Sequence, residues 1–136
     1  MELSKEELPH VIVGAAMEVH KHLGVGLNAA AYAECLAFAL RMREIVFQRD
    51  VSLKFDYKGH MIDGAATIDF IVEDLMLLTV IAADTIKPID KQTMTNFLRL
   101  TGLESGFLIN FNVDKLRDGI KRMIVSHDEP KIPYRQ

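Results

Sequence analysis

Residues 69–84 read DFIVEDLMLLTVIAAD, and the nine residues from Leu75 to Ala83 carry no charge. Asp74 and Asp84 bracket the run, and Asp69 precedes it between Ile68 and Phe70. An apolar run of this length without strict alternation is the pattern of a strand covered on both faces, which places it inside a sheet with helices packed above and below. A carboxylate inside an apolar strand needs a hydrogen-bond partner, a metal ion, or a place at the strand end facing water, and Asp69 is open to all three readings.

The flanking sequence supplies the rest of such a sheet. A strand ending in TIDFIV (67–72) precedes the run, and before it Val51, Leu53, Phe55 and Tyr57 alternate with polar residues, the period of a half-buried strand. YKGH (57–60) joins the two as a hairpin turn, with Gly59 free to take positive φ. Downstream, Pro88 opens a helix with Met94, Phe97, Leu98 and Thr101 inward and Gly102 as its stop. GFLINF (106–111) gives a fourth strand and KRMIV (121–125) an edge strand.

Upstream, Leu8, Ile12, Ala15, Ala16, Val19 and Leu23 line one face of a first helix that Gly24 terminates. SKEE (4–7) resembles a capping box, but Pro9 argues for a helix start near Leu8. Asn28 caps a second helix whose inward face is read as Ala31, Cys35, Phe38 and Met42. The order is helix, helix, three strands, helix, strand, strand: an α/β or α+β sandwich on a mixed sheet, the late helix crossing between neighbouring strands.

Composition limits the function. The 136 residues, 49% hydrophobic, suit one domain, expected over residues 1–125 with 126–136 as a C-terminal tail. A net charge of −3 and a pI near 5.9 provide no global field drawing nucleic acid to the protein. Cys35 is the only cysteine, which excludes an intramolecular disulfide and suits a reducing cytoplasm. No apolar stretch reaches the roughly 18 residues of a membrane span, and the acidic N-terminus lacks the features of a secretory signal, so a cytoplasmic protein is expected.

Most local motifs have plain structural explanations. GVG (24–26) lacks the further glycines and the anchor of a phosphate loop and reads as a helix-to-helix connection. Glu18 and His22 share a helix face, but His20 does not share one with His22, and a metal site would need ligands from elsewhere. Lys115, Arg117, Lys121 and Arg122 are interspersed with Asp114 and Asp118 and read as a solvated face; Arg41, Arg43 and Arg49 form a second basic group.

Taken together, GAAMEVHKHLGVGL, Tyr32, FDYKG, IDFIVED and NFLRLTG leading into GFLINF resemble, in order and spacing, the GxxExxY proteins of the PD-(D/E)xK nuclease superfamily. The resemblance runs from about Leu8 to Val125 and implies a nuclease-like sandwich, a mixed central β-sheet flanked by helices. It also implies a site built from one Asp, then Glu-x-Lys on the next strand, with a Glu from an early helix; such carboxylates hold Mg²⁺ against the scissile phosphate.

Asp69 matches the Asp of that pattern. Thr79 and Ile81 occupy the Glu and Lys positions, Ala29 the Glu of the name motif between Gly26 and Tyr32, and Thr93 and Phe97 the positions where many relatives carry Gln and Tyr. The resemblance therefore implies a dismantled active site, with Asp69 as a weak residual metal position and no cofactor. Binding then remains as the mode of action, to another protein, to a second copy in a homodimer, or, less favoured by the acidic pI, to nucleic acid. The alternative is a nuclease that uses Mg²⁺ or Mn²⁺ through ligands displaced around Asp69, with Glu73, Asp74 and Asp84 nearby in sequence, Glu34 on the second helix able to point inward, and Lys87 beyond the strand end.

Overall fold

The computed structural model describes residues 3–127. Helices α1 (Leu8–Leu23) and α2 (Ala29–Met42) precede strands β1 (Phe47–Tyr57), β2 (His60–Val72) and β3 (Met76–Ile81). Helix α3 (Pro88–Thr101), strand β4 (Ser105–Asn110), a short 3₁₀ turn (Leu116–Gly119) and strand β5 (Ile120–Ile124) complete the fold. The sheet order is β1-β2-β3-β4-β5, antiparallel except for the parallel β3–β4 pair that α3 connects. The mixed sheet and the crossover are those expected, and β5 is an edge strand.

Local chemistry accounts for the boundaries. Ser4 and Glu7 form the reciprocal bonds of a capping box, Ser4 N–H to Glu7 Oε1 at 3.0 Å and Glu7 N–H to Ser4 Oγ at 3.2 Å, in a turn leading into α1. Pro9 then sits in the first helical turn, where its missing N–H is harmless. Asn28 Oδ1 accepts from Ala31 N–H at 2.9 Å to start α2. Lys58 and Gly59 both take positive φ, so the β1–β2 hairpin closes as a type I′ turn, and Glu73 and Asp74 do the same between β2 and β3. Glu73 also grips the start of β1, its carboxylate accepting from Val46 N–H at 2.8 Å.

Two cores lie on opposite sides of the sheet. One joins α1 and α2 to Phe70, Val72, Leu78, Ile109 and Phe111; the other joins Met94 and Leu98 of α3 to Leu53, Ile68, Leu77 and Leu108. β3 serves both, as its uncharged sequence requires. Gly106 allows α3 to approach the sheet closely, since a Cβ there would lie 2.6 Å from Leu77 O and 2.9 Å from Met94 Sδ.

The inward face of α2 differs from expectation. Tyr32, Ala33, Leu36, Ala37 and Leu40 are buried, whereas Ala31 and Cys35 are half-buried and Phe38 and Met42 are 62% and 67% exposed. The alanine-rich helix carries two apolar stripes, roughly 150° apart at 100° per residue, and periodicity alone does not choose between them. Tyr32 decides it. Its ring stacks on Phe111 at 4.6 Å, and its hydroxyl donates to Gly24 O while accepting from Leu27 N–H at 3.4 Å, fastening the α1–α2 loop. β1 also begins earlier than the alternation from Val51 indicated, at Phe47. Ser126 and His127 lie outside regular structure, and the remainder of the expected tail falls outside the described residues.

Replacing Tyr32 by Phe keeps the stack and removes both hydroxyl bonds. The expected loss is about 1–2 kcal/mol, read in urea unfolding as a lower midpoint with an unchanged slope.

Candidate functional site

β2 and β3 are paired over only three positions, Phe70–Leu78, Ile71–Leu77 and Val72–Met76, while β2 continues alongside β1. Beyond Phe70 the two strands part, and the side chain of Asp69 bridges the opening: its Oδ2 accepts from Val80 N–H at 2.8 Å. A carboxylate here does the work of a ladder carbonyl and satisfies a donor that the diverging backbone leaves over.

The hairpin turns from one core to the other at the same level. Phe47 and Phe70 pack on the α1–α2 side, while Val51, Leu53, Phe55 and Ile68 pack on the α3 side. Asp50, with φ of 51°, sits at this crossing, opposite Asp69 between the pairs Arg49–Phe70 and Val51–Ile68. Burial raises the pKa of the Asp69 carboxyl; the Val80 bond opposes this, the Asp50 charge adds to it, and Arg49 opposes it.

Thr79 and Ile81 are half-buried on one face of β3, alternating with Leu78 and Val80. Ile81 and Phe97 are half-buried and pack against the α3-side core. Thr93 is exposed near the start of α3. Ala29, half-buried at the start of α2, borders the α1–α2 core.

The nearby acids are engaged elsewhere or exposed. Glu73 holds Val46, Asp74 lies in the turn, Asp84 is exposed in the loop after β3, and Glu34 pairs with Arg49, which stands over the Phe70 ring at 5.1 Å. Among the described residues, no group of three His, Cys, Asp or Glu side chains comes together to hold a metal ion. With one Asp69 oxygen already bonded to Val80, the donors do not make a cation site held by protein alone.

Other motifs have structural duties. His20 Nε2 lies 2.7 Å from Val113 O, tying α1 to the chain after β4, and Glu18 pairs with Arg43 at 2.9 Å. Arg41 lies over Phe47 and Arg122 over Phe107. A cavity of about 490 Å³ lined by Met76, Ser105, Arg122 and His127 opens at the other end of the β3–β4 pair and includes none of Asp69, Thr79 or Ile81.

Two residues that shape the site escaped sequence reasoning. Asp50 could be found only from the strand register. Asn110, the buried polar residue of β4, accepts from Ala83 N–H at 3.2 Å and donates to Ala83 O at 2.9 Å, fixing the chain as it leaves β3. Its place in GFLINF, polar within an apolar strand, is the signal that could have drawn attention to it.

A family model described as the PD-(D/E)XK nuclease superfamily matches residues 6–123. Comparison with curated proteins and with solved structures finds no match. Among the described residues, no helix is long and apolar enough to cross a membrane.

A folded-state pKa raised above the unfolded value means that Asp69 contributes most stability when protonated, and that this contribution is lost as pH rises through the raised pKa. Asp69→Asn keeps an acceptor for Val80 without the charge. It is expected to be more stable than the parent at pH 7, with the gap narrowing as pH falls through the raised pKa and closed below the ordinary carboxylate value of 3.8. Asp69→Ala, which orphans the Val80 N–H, is expected to lose about 1–3 kcal/mol relative to Asp69→Asn. Urea titrations at several pH values read both.

Proposed function

The chain belongs to the PD-(D/E)XK nuclease superfamily, and we propose that it retains the nuclease fold without the nuclease chemistry and acts by binding. The observation that carries this reading is the state of the β2–β3 opening. Asp69 is bonded to Val80 N–H, and Thr79 and Ile81 stand where the superfamily pattern places Glu and Lys. Neither replacement supplies a carboxylate or a positive charge, so water activation and stabilisation of a developing phosphate charge lose their agents.

The replaced pair is also consistent energetically. A lysine at position 81 with no acid at 79 would leave a charge without its partner in a half-buried place, at a cost of several kcal/mol. Thr79 and Ile81 avoid that cost, and Ile81 adds to the core. Arg43 and Arg49 are paired with carboxylates and the net charge is −3, which favours a protein partner over a nucleic acid.

One observation favours a second reading, a metal-dependent nuclease with ligands displaced around Asp69. Asp50 lies across the strand pair from Asp69 and acts on it electrostatically. Two carboxylates together with a substrate phosphate are one arrangement in which Mg²⁺ or Mn²⁺ is held.

The readings separate in a cleavage assay on single- and double-stranded DNA and RNA with Mg²⁺ or Mn²⁺, using the parent, Asp69→Ala and Asp69→Asn, each checked for fold by circular dichroism. The expected result is the same background in all three. Cleavage by the parent that both variants lose would establish the nuclease reading.

A further inference from the structure

The second apolar stripe of α2 is only partly covered: Ala31 and Cys35 are half-buried, Cys35 against the α1–α2 core, while Phe38 and Met42 are exposed. Ala31, Cys35, Phe38 and Met42 follow one another at spacings of four, three and four, the seam spacing of paired helices. Phe38 and Met42 are 62% and 67% exposed, on a helix whose opposite stripe is fully used by the core. A polar residue at either position would serve the monomer equally well, because neither side chain belongs to a core cluster.

The charges beside the stripe indicate what covers it. Glu34 and Arg41 are seven residues apart and flank the same side of the seam, each one residue before a seam position. If two copies of α2 pack antiparallel about a dyad between Cys35 and Phe38, Phe38 of each copy meets Cys35 of the other, and Met42 meets Ala31. The same dyad sets Glu34 of each copy beside Arg41 of the other, so the surface is complementary to itself in charge as well as in shape. A parallel pair would instead put the two copies of Glu34, and the two of Arg41, on opposite flanks of the seam, each facing the residue five further on, Ala39 and Val46, with no charge pairing. Glu34, although paired with Arg49, keeps a side chain 72% exposed, and Arg41 is also exposed.

We propose that the outer face of α2 is a homodimer interface, formed by antiparallel packing of the Ala31–Cys35–Phe38–Met42 stripe with reciprocal Glu34–Arg41 pairs. The inference deepens the binding reading by naming a second copy of this chain as partner, and rests on that reading only for its biological role. The stripe includes none of Asp69, Thr79 or Ile81.

A helix of 14 residues is about 21 Å long. An interface confined to one such helix falls below the roughly 1,200 Å² of standard complexes, so a dissociation constant on the order of micromolar or weaker is expected.

Light scattering and sedimentation over a concentration series up to about millimolar test this directly. The expected mass rises from 15.3 kDa towards twice that value. Phe38→Lys and Met42→Lys should each weaken the dimer by at least about tenfold with unchanged circular dichroism and melting temperature. Arg41→Glu should weaken it in a salt-dependent way. A constant monomer mass would overturn the proposal and leave the stripe to a different partner. A dimer undiminished by both lysine variants would overturn it by locating the interface elsewhere. Neither result bears on cleavage, so failure of this inference is distinguishable from failure of the inactive-cleft reading.

Discussion

The hydrogen bond from Val80 N–H to the Asp69 carboxylate is the constraint around which the middle of the molecule is arranged. Strands β2 and β3 share only three pairs before they diverge, because β2 must follow β1 into a long hairpin that changes sides at Asp50. Divergence in the interior of a sheet exposes backbone donors that water cannot easily reach. A short acceptor side chain at position 69 meets that need. The raised pKa shows what this costs, a charge in a partly desolvated place with another carboxylate opposite.

Under the binding proposal, the fold outlasts its chemistry in this way. In a metal-dependent site the Asp answers both to the backbone and to the cation, whereas the Glu and Lys answer to the reaction. If the reaction is no longer required, Glu and Lys become two half-buried charges with only each other as partners, and apolar or small residues pack the space at lower cost. The Asp stays useful to the strands. Tyr32 and Gly26 also have structural duties: Tyr32 fastens the α1–α2 loop and stacks on Phe111, and Gly26 has φ of 105°.

Much of this could be read from the chain, for identifiable reasons. The uncharged run placed β3 at the centre, YKGH located the hairpin, and Pro88 and Gly102 bounded the crossover helix, because each signal is local and physical. The face of α2 was not legible, since both of its stripes are apolar and only the docking of Tyr32 against Phe111 from a distant strand selects one. Asp50 and Asn110 were also hidden. One acquires its role from cross-strand register and the other from the path of the loop at Ala83, and neither exists in the sequence alone. The misassigned stripe is itself informative, because its Phe38 and Met42 are large, exposed and outside both core clusters.

Paramagnetic line broadening of the Val80 amide by Mn²⁺, in ¹⁵N-resolved spectra of the parent protein, tests the proposed loss of metal binding most directly, because that amide is bonded to the Asp69 carboxylate. The account predicts that millimolar Mn²⁺ leaves the Val80 resonance no broader than those of amides remote from any carboxylate. Selective broadening at Val80 and around Asp50 and Asp69, reversed by excess Mg²⁺, would contradict it and show that the opening still holds a divalent cation.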